Sequence, residues 1–324
     1  MNSTELTRTI REFALGEAGF DAVGFSAASL PPLHEEAAER WVGDGFAGTM
    51  EYMSRDVRRR AHPESSLPSA RTVIALAVNY NHPEDPRPAA PAGRVAKYAY
   101  GLDYHRTIEK KLKRLAAFVR EAGGPGTEAK GYVDTGPVLE RAFARQAGLG
   151  FFGKNTNVIT KEFGSWVFLA SLLTSLVLDR DDPHAGSCGT CRLCLDACPT
   201  GALVGDYRLD ATKCISYLTI EHKVDQANEG GAPIDPELRR GMGDWIFGCD
   251  VCQDVCPYNR KKPVTRHAEL YPEKRAGSWI ELGPLEEMKD DAVFAEAFRG
   301  SPLKRPKRAG LLRSAAVVGE NLAR

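Results

Sequence analysis

The chain has 324 residues, long enough for two or three compact units, since domains usually run to about 100–200 residues. Lysine plus arginine and aspartate plus glutamate balance at 43 each, which excludes a whole-protein field that draws in nucleic acid or an anionic membrane. Residues 1–20 are charged throughout and lack the features of a signal peptide, and the longest apolar stretch, 166–178, is too short for a membrane span. A cytoplasmic protein with no membrane partner is expected.

The first predicted element is a helix capped by Ser3, with Leu6, Ile10, Phe13 and Ala14 at helical spacing before Gly19. Residues 22–26 read as a short strand. Residues 72–80 are β-branched and apolar without alternation, the pattern of a strand covered on both faces. Asp103 can cap an amphipathic helix that places Ile108, Leu112, Leu115 and Val119 on one face and ends at Gly123 and Gly124. A strand over 130–133, a helix over 137–147 and strands over 157–160 and 166–173 follow. From Asp179 the chain turns to cysteine, glycine and proline with little periodic apolar pattern, so metal can replace core there. After Asn259 it becomes helical and basic, with a run from Lys304 to Arg308.

The eight cysteines carry the strongest signal. In a chain without export signals such crowding favours metal over disulfides. Cys188-Gly-Thr-Cys191-Arg-Leu-Cys194-Leu-Asp-Ala-Cys198-Pro199 matches the spacing in which the fourth cysteine ligates the other cluster of a two-cluster ferredoxin. The second set is stretched: Cys214 stands alone, and Cys249, Cys252 and Cys256, followed by Pro257, complete it. Crossing the fourth ligands gives one [4Fe–4S] cluster on Cys188, Cys191, Cys194 and Cys256 and another on Cys198, Cys214, Cys249 and Cys252. Structural zinc is the bland alternative, but two Cys-Pro endings and the interlocked count of eight favour clusters.

Other candidates are weaker when taken alone. Asp134 follows a strand end, where a side chain is presented at a sheet edge; it can serve as a proton donor or as a helix cap. The glycines of 148–157 let backbone approach a ligand, although no phosphate-loop pattern is met. Arg58-Arg59-Arg60 and the Lys304–Arg308 run suit phosphates or plain solvated surface. Asp103-Tyr104-His105 begins like a cobalt-ligating histidine motif, but Ile108 stands where that motif needs glycine, so His105 is read as a first-turn helix residue.

Together these segments resemble the epoxyqueuosine reductase family over nearly the whole chain. The resemblance is carried by Tyr52-Met53 with Arg60 and Pro63, by the run from Lys97 to His105, by Val133-Asp134-Thr-Gly-Pro-Val-Leu-Glu-Arg141, and by Gly153-Lys-Asn-Thr with Phe163-Gly-Ser-Trp-Val-Phe-Leu169. Cys214-Ile-Ser-Tyr-Leu-Thr-Ile-Glu221 and the run from Phe247 to Pro257 complete it. It implies a cobalamin-dependent enzyme of tRNA that reduces epoxyqueuosine to queuosine, with electrons arriving through the two clusters. By the same resemblance Asp134 is the catalytic acid and also touches cobalamin; Arg60, Lys97, Asn157, Ser165 and Ser216 hold the cofactor; and His222 and Lys223 meet tRNA. Two departures stand out. Asn155 occupies a position where the family usually has histidine. About sixty residues follow Tyr258, fewer than the roughly three repeats needed by the tRNA-gripping solenoid of many members.

The expected fold is α+β: an α/β-like N-terminal cobalamin-binding domain (1–175), an inserted-ligand ferredoxin-like domain with two [4Fe–4S] clusters (176–262), and a short basic helical C-terminal segment (263–324). Expected partners are tRNA carrying epoxyqueuosine and an external low-potential electron donor, with the protein acting as a monomer. A corrinoid reductive dehalogenase is the rival from the same chemistry, and a non-catalytic electron carrier the rival from another class, though the latter leaves the large region before Cys188 without a purpose.

Overall fold

The N-terminal helix, Ser3–Leu15, buries Thr7, Ile10 and Ala14 as one stripe. Its cap is Asn2 and not Ser3: the Asn2 side chain accepts the Glu5 N–H at 2.8 Å, while the Ser3 hydroxyl donates to Asp179 at 2.8 Å. The amphipathic helix Tyr104–Gly123 buries the expected Ile108, Leu112, Leu115 and Val119. Phe118 of this helix stacks on Phe13 at 3.9 Å between ring centroids, tying the two helices together.

The computed structural model describes residues 1–55, 57–222 and 234–324. They form two units. The first comprises Met1–Gly45, Tyr52–Asn79 and His105–Thr190, and the second Phe46–Glu51, Tyr80–Tyr104 and Cys191–Arg324. These boundaries differ from three consecutive domains, and side-chain chemistry explains why. Asp181, beyond the expected break at 175, accepts both Arg11 Nη2 contacts at 2.7 and 2.8 Å and the Phe25 N–H at 2.8 Å, which binds it to the first unit. The short segment Phe46–Glu51 goes with the second unit because Thr49 donates its N–H to the Tyr217 hydroxyl at 2.8 Å and Phe46 O accepts the Ala211 N–H at 3.1 Å.

In the first unit a four-stranded sheet runs in the order Ala22–Ala27, Thr72–Asn79, Val167–Thr174, Ala129–Tyr132. Every pairing is antiparallel. The α+β description therefore fits and the α/β-like one does not, because an α/β sheet is built from parallel crossovers. The central strand Thr72–Asn79 is buried at all eight positions, as its unbroken apolar run requires. Ala75 and Ala77 share a core with Ala144 and Ala147, and Val73 shares one with Phe143, so one face of the sheet is covered by the helix Glu140–Gln146. That approach is close. A Cβ on Gly24 would lie 1.9 Å from Ala147 O, backbone that cannot swing aside. Gly24→Ala is expected to cost about 1–3 kcal/mol or more, read as a lowered unfolding midpoint, and a neutral result would refute this packing.

In the second unit the strand Ala92–Val95 lies between Trp245–Phe247, with which it is parallel, and Trp279–Glu281, with which it is antiparallel. Val95, Tyr100, Ile246, Phe247, Leu282, Leu303, Leu311, Ala315 and Val318 form a single core. The C-terminal helix Lys307–Leu322 thus shares its core with residues near 95 and 246, and is not a detached basic tail. Two of the four basic residues between 304 and 308 are engaged in ion pairs: Arg305 with Glu221 at 3.1 Å, and Arg308 with Asp291 at 3.1 Å. Among the described residues no helix is long and apolar enough to cross a membrane.

Candidate catalytic loop and cluster-binding cysteines

Asp134 sits just past the end of the Ala129–Tyr132 strand, as its motif predicts. It is not a helix cap, because the next helix opens only at Glu140, and its cap, Leu139, has no side-chain hydrogen bond. Asp134 instead adopts φ 54°, a left-handed conformation uncommon outside glycine, and its side chain is 60% exposed. Its Oδ2 lies 3.2 Å from His105 Nε2, so the imidazole N–H donates to an ionised Asp134, or a protonated Asp134 donates to the ring. Sequence reasoning assigned His105 no part in catalysis and left Glu140 out. The available signal was Glu140's place inside the Val133–Arg141 motif.

Arg60 holds the rest of this loop. Its Nη1 donates to Gly136 O at 3.2 Å, its Nη2 donates to Tyr52 O at 3.0 Å, and its carbonyl accepts the Leu139 N–H at 2.9 Å. The neighbouring Arg58 points away, to Glu39 at 2.9 Å, and belongs to the solvated surface. Arg60 also keeps a buried Nε–H with no acceptor among the described residues. A buried donor of this kind suits the amide or phosphate periphery of a bound cofactor.

Burial, and then the charge of Asp134, push the Glu140 carboxyl up to about 8, opposed by the Asp134 N–H bond and by Arg141 and His105. The unfolded chain releases this proton near pH 4.3, so from there to about pH 8 the folded state binds more protons and stability falls as pH rises. Glu140→Gln removes the dependence. Its unfolding midpoint relative to the parent chain is expected to move in its favour between pH 5 and pH 8, and an unchanged gap would contradict the assignment.

Of the other proposed cofactor contacts in the first unit, Asn157 donates its N–H to Asn155 Oδ1 at 3.3 Å, and its carbonyl accepts the Gly153 N–H at 2.8 Å. Asn155 is buried and closes this turn. Ser165 is buried beside Gly164 at the turn leading into Val167–Thr174. Cys188 Sγ accepts the Lys154 N–H at 3.4 Å, so the glycine-rich loop brings its backbone to a candidate cluster ligand.

In the second unit Cys198, Cys214, Cys249 and Cys252 come together. Burial pushes the thiols of Cys214, Cys249 and Cys252 up, and Cys198 lies near enough that its charge raises all three further. Thiols this reluctant to ionise need cationic iron beside them to become ligands. Donors are already in place: the Ser216 N–H and hydroxyl and the Tyr217 N–H point to Cys214, and the Val251 N–H points to Cys249. Such bonds tune a cluster's potential. Ser216, proposed as a cofactor contact, is thus directed at a cysteine sulfur. All eight cysteines are free of disulfides. Among the described residues no three acidic, histidine or cysteine side chains close on a single-ion site; a cubane's thiolates stand farther apart than the ligands of one ion.

Asp250, between Cys249 and Cys252, is buried and accepts the Lys97 N–H at 2.7 Å and the Gln253 amide at 3.3 Å. It pins the Lys97 turn beside Cys249 and Cys252. Asp250→Ala removes the acceptor that both donors share and is expected to cost about 1–3 kcal/mol, while Asp250→Asn keeps an acceptor oxygen and loses less; equal losses in denaturation would refute this account. His222 packs its ring on Tyr217 at 5.8 Å, and its carbonyl accepts from Arg313 at 3.2 Å. Lys223 lies outside the described residues.

Comparison with known proteins decides the family. A family model described as "Epoxyqueuosine reductase QueG, DUF1730" matches residues 60–135, and one described as "4Fe-4S double cluster binding domain" matches residues 187–259. An epoxyqueuosine reductase of Gloeobacter violaceus is 43% identical over 315 residues, covering 94% of each chain. This chain belongs to the epoxyqueuosine reductase family. Solved structures of epoxyqueuosine reductases agree in fold. One, with a tRNA-Tyr epoxyqueuosine-modified stem loop, is 31% identical with a TM-score of 0.88, covering 99% of this chain and 82% of that one. Another, from Bacillus subtilis with its catalytic aspartate loop swung out of the active site, is 30% identical with a TM-score of 0.86 over the same shares. The double-cluster domain matched over residues 187–259, the stretch that contains all eight cysteines, gives the chain two [4Fe–4S] clusters, and membership of the family makes it an oxidoreductase.

Proposed function

We propose that this chain reduces epoxyqueuosine in a tRNA anticodon loop to queuosine. The epoxide oxygen leaves as water, two electrons and two protons are consumed, and an alkene remains. Similarity over nearly the full length to epoxyqueuosine reductases, one of them solved with the modified stem loop, carries this reading. Electrons come from an external low-potential donor and pass through the clusters on Cys188, Cys191, Cys194 and Cys256 and on Cys198, Cys214, Cys249 and Cys252. The protein works as a cytoplasmic monomer.

Cobalamin, when bound, supplies low-valent cobalt for breaking the carbon–oxygen bond. Arg60, Lys97, Asn157, Ser165 and Ser216, with Asp134, are the residues that would hold it. Asp134 gives its proton to the departing oxygen, a task its exposed carboxyl suits, and His105 is within reach to return one from solvent. His222 and Lys223 meet the tRNA.

The test is to incubate the reconstituted protein with cobalamin, a strong reductant and tRNA carrying epoxyqueuosine, and then analyse the nucleosides. Queuosine is expected, and its absence would sink the reading.

A further inference from the structure

A general acid must present its carboxyl at a fixed place, yet Asp134 stands on a loop with an exposed side chain and an unfavourable φ. Something must hold that conformation. Arg60 grips the loop at Gly136 and Leu139, two and five residues away. The Glu140 carboxyl reaches residue 134 itself: its two oxygens lie 3.2 and 3.3 Å from the Asp134 nitrogen and share the N–H between them. Glu140 is half-buried, whereas the side chain it steadies is open. Glu140 opens a helix whose cap offers no side chain, so its own carboxyl is turned back along the loop and not spent on the helix end.

We propose that Glu140 is a positioning residue for the catalytic acid: by holding the Asp134 N–H it fixes the left-handed turn that delivers the Asp134 carboxyl to His105. This deepens, and rests on, the reading of Asp134 as proton donor. Glu140 acts through Asp134, whose N–H it holds. Without it the turn relaxes toward ordinary negative φ and the Asp134 carboxyl leaves His105, and misplacement of a reacting group by about 1 Å can cost roughly 10²-fold in rate.

Three variants separate the ideas. Glu140→Gln keeps an acceptor oxygen and is expected to retain both kcat and slow hydrogen exchange in a peptide spanning residues 133–139. Glu140→Met keeps the length and loses the acceptor. It is expected to exchange about tenfold faster in that peptide and to lose kcat by roughly 10²-fold, with KM for tRNA unchanged within about twofold. Asp134→Asn is expected to keep slow exchange and lose turnover. Parental exchange or parental kcat in Glu140→Met overturns the proposal, as does a Glu140→Gln variant as impaired as Glu140→Met. If Glu140→Met fails to fold, Glu140→Ala is read in the same way, and exchange in the refolding variant decides. An active Asp134→Asn would defeat the acid assignment alone, since the exchange measurement does not depend on it.

Discussion

Asp134→Asn is expected to abolish turnover while leaving tRNA affinity, cluster content and the local backbone intact. The substitution is unusually clean here because asparagine tolerates the left-handed region almost as well as any residue but glycine, so φ 54° survives. The Asp134 N–H still meets Glu140, and Arg60 still grips Gly136 and Leu139. Only the transferable proton is gone. General acid catalysis contributes about 10²–10⁴-fold, so single-turnover conversion of epoxyqueuosine should slow by that factor with the binding constant for tRNA unchanged. Conversion at the parental rate would remove Asp134 from the chemistry. Asp134→Ala is a poorer probe, since it confounds lost proton with lost conformation.

Paired cysteine substitutions should have effects of similar size and reveal how the ligands are shared. If the fourth ligands cross, Cys194→Ser with Cys256→Ser strips a single cluster, and the protein should retain about half its iron. Cys252→Ser with Cys256→Ser strips one ligand from each cluster and should lose most of the iron. Iron analysis and the spectrum of the reduced protein distinguish the cases, and the reverse order of losses would mean uncrossed ligation. Turnover should vanish in both. The losses should be severe because the short helices that carry these cysteines add little packing of their own: the helix Leu193–Ala197 buries no residue, and the helix Val251–Asp254 buries only Gln253. Iron does the work that apolar packing does elsewhere.

The cysteine spacing named the cluster chemistry in advance because ligand geometry is written directly into short intervals of chain. The central strand was equally legible, since a fully buried strand cannot hide an unbroken apolar run such as residues 72–79. Sheet direction was less so: alternating helices and strands look the same whether neighbours pair parallel or antiparallel, and only the register Leu76 to Ala170 settles it. The Asp134 loop was legible as a motif but not as a mechanism. Nothing in the order of residues says that Glu140 reaches back six positions, or that His105, 29 positions upstream, closes on the same carboxyl. Nor did the basic residues near 304–308 announce that Glu221 and Asp291 engage two of them. Such pairings are set by tertiary approach, which no local propensity encodes.

The strand Ala92–Val95 takes both its partners from far downstream, at Trp245–Phe247 and Trp279–Glu281. On the ribosome its two edges stay unpaired while about 150 further residues are made, roughly 8–30 s at about 5–20 residues per second. Cys198 and Cys214 wait for a shorter stretch, about 35–55 further residues, before Cys249 and Cys252 are made. The first unit, by contrast, has all of its own residues once Thr190 emerges. A nascent chain of this protein therefore carries a finished unit together with two orphaned segments, 46–51 and 80–104, that belong to a unit not yet translated. Cluster loading is necessarily among its last steps, and a fragment cut at Thr190 would inherit the orphans.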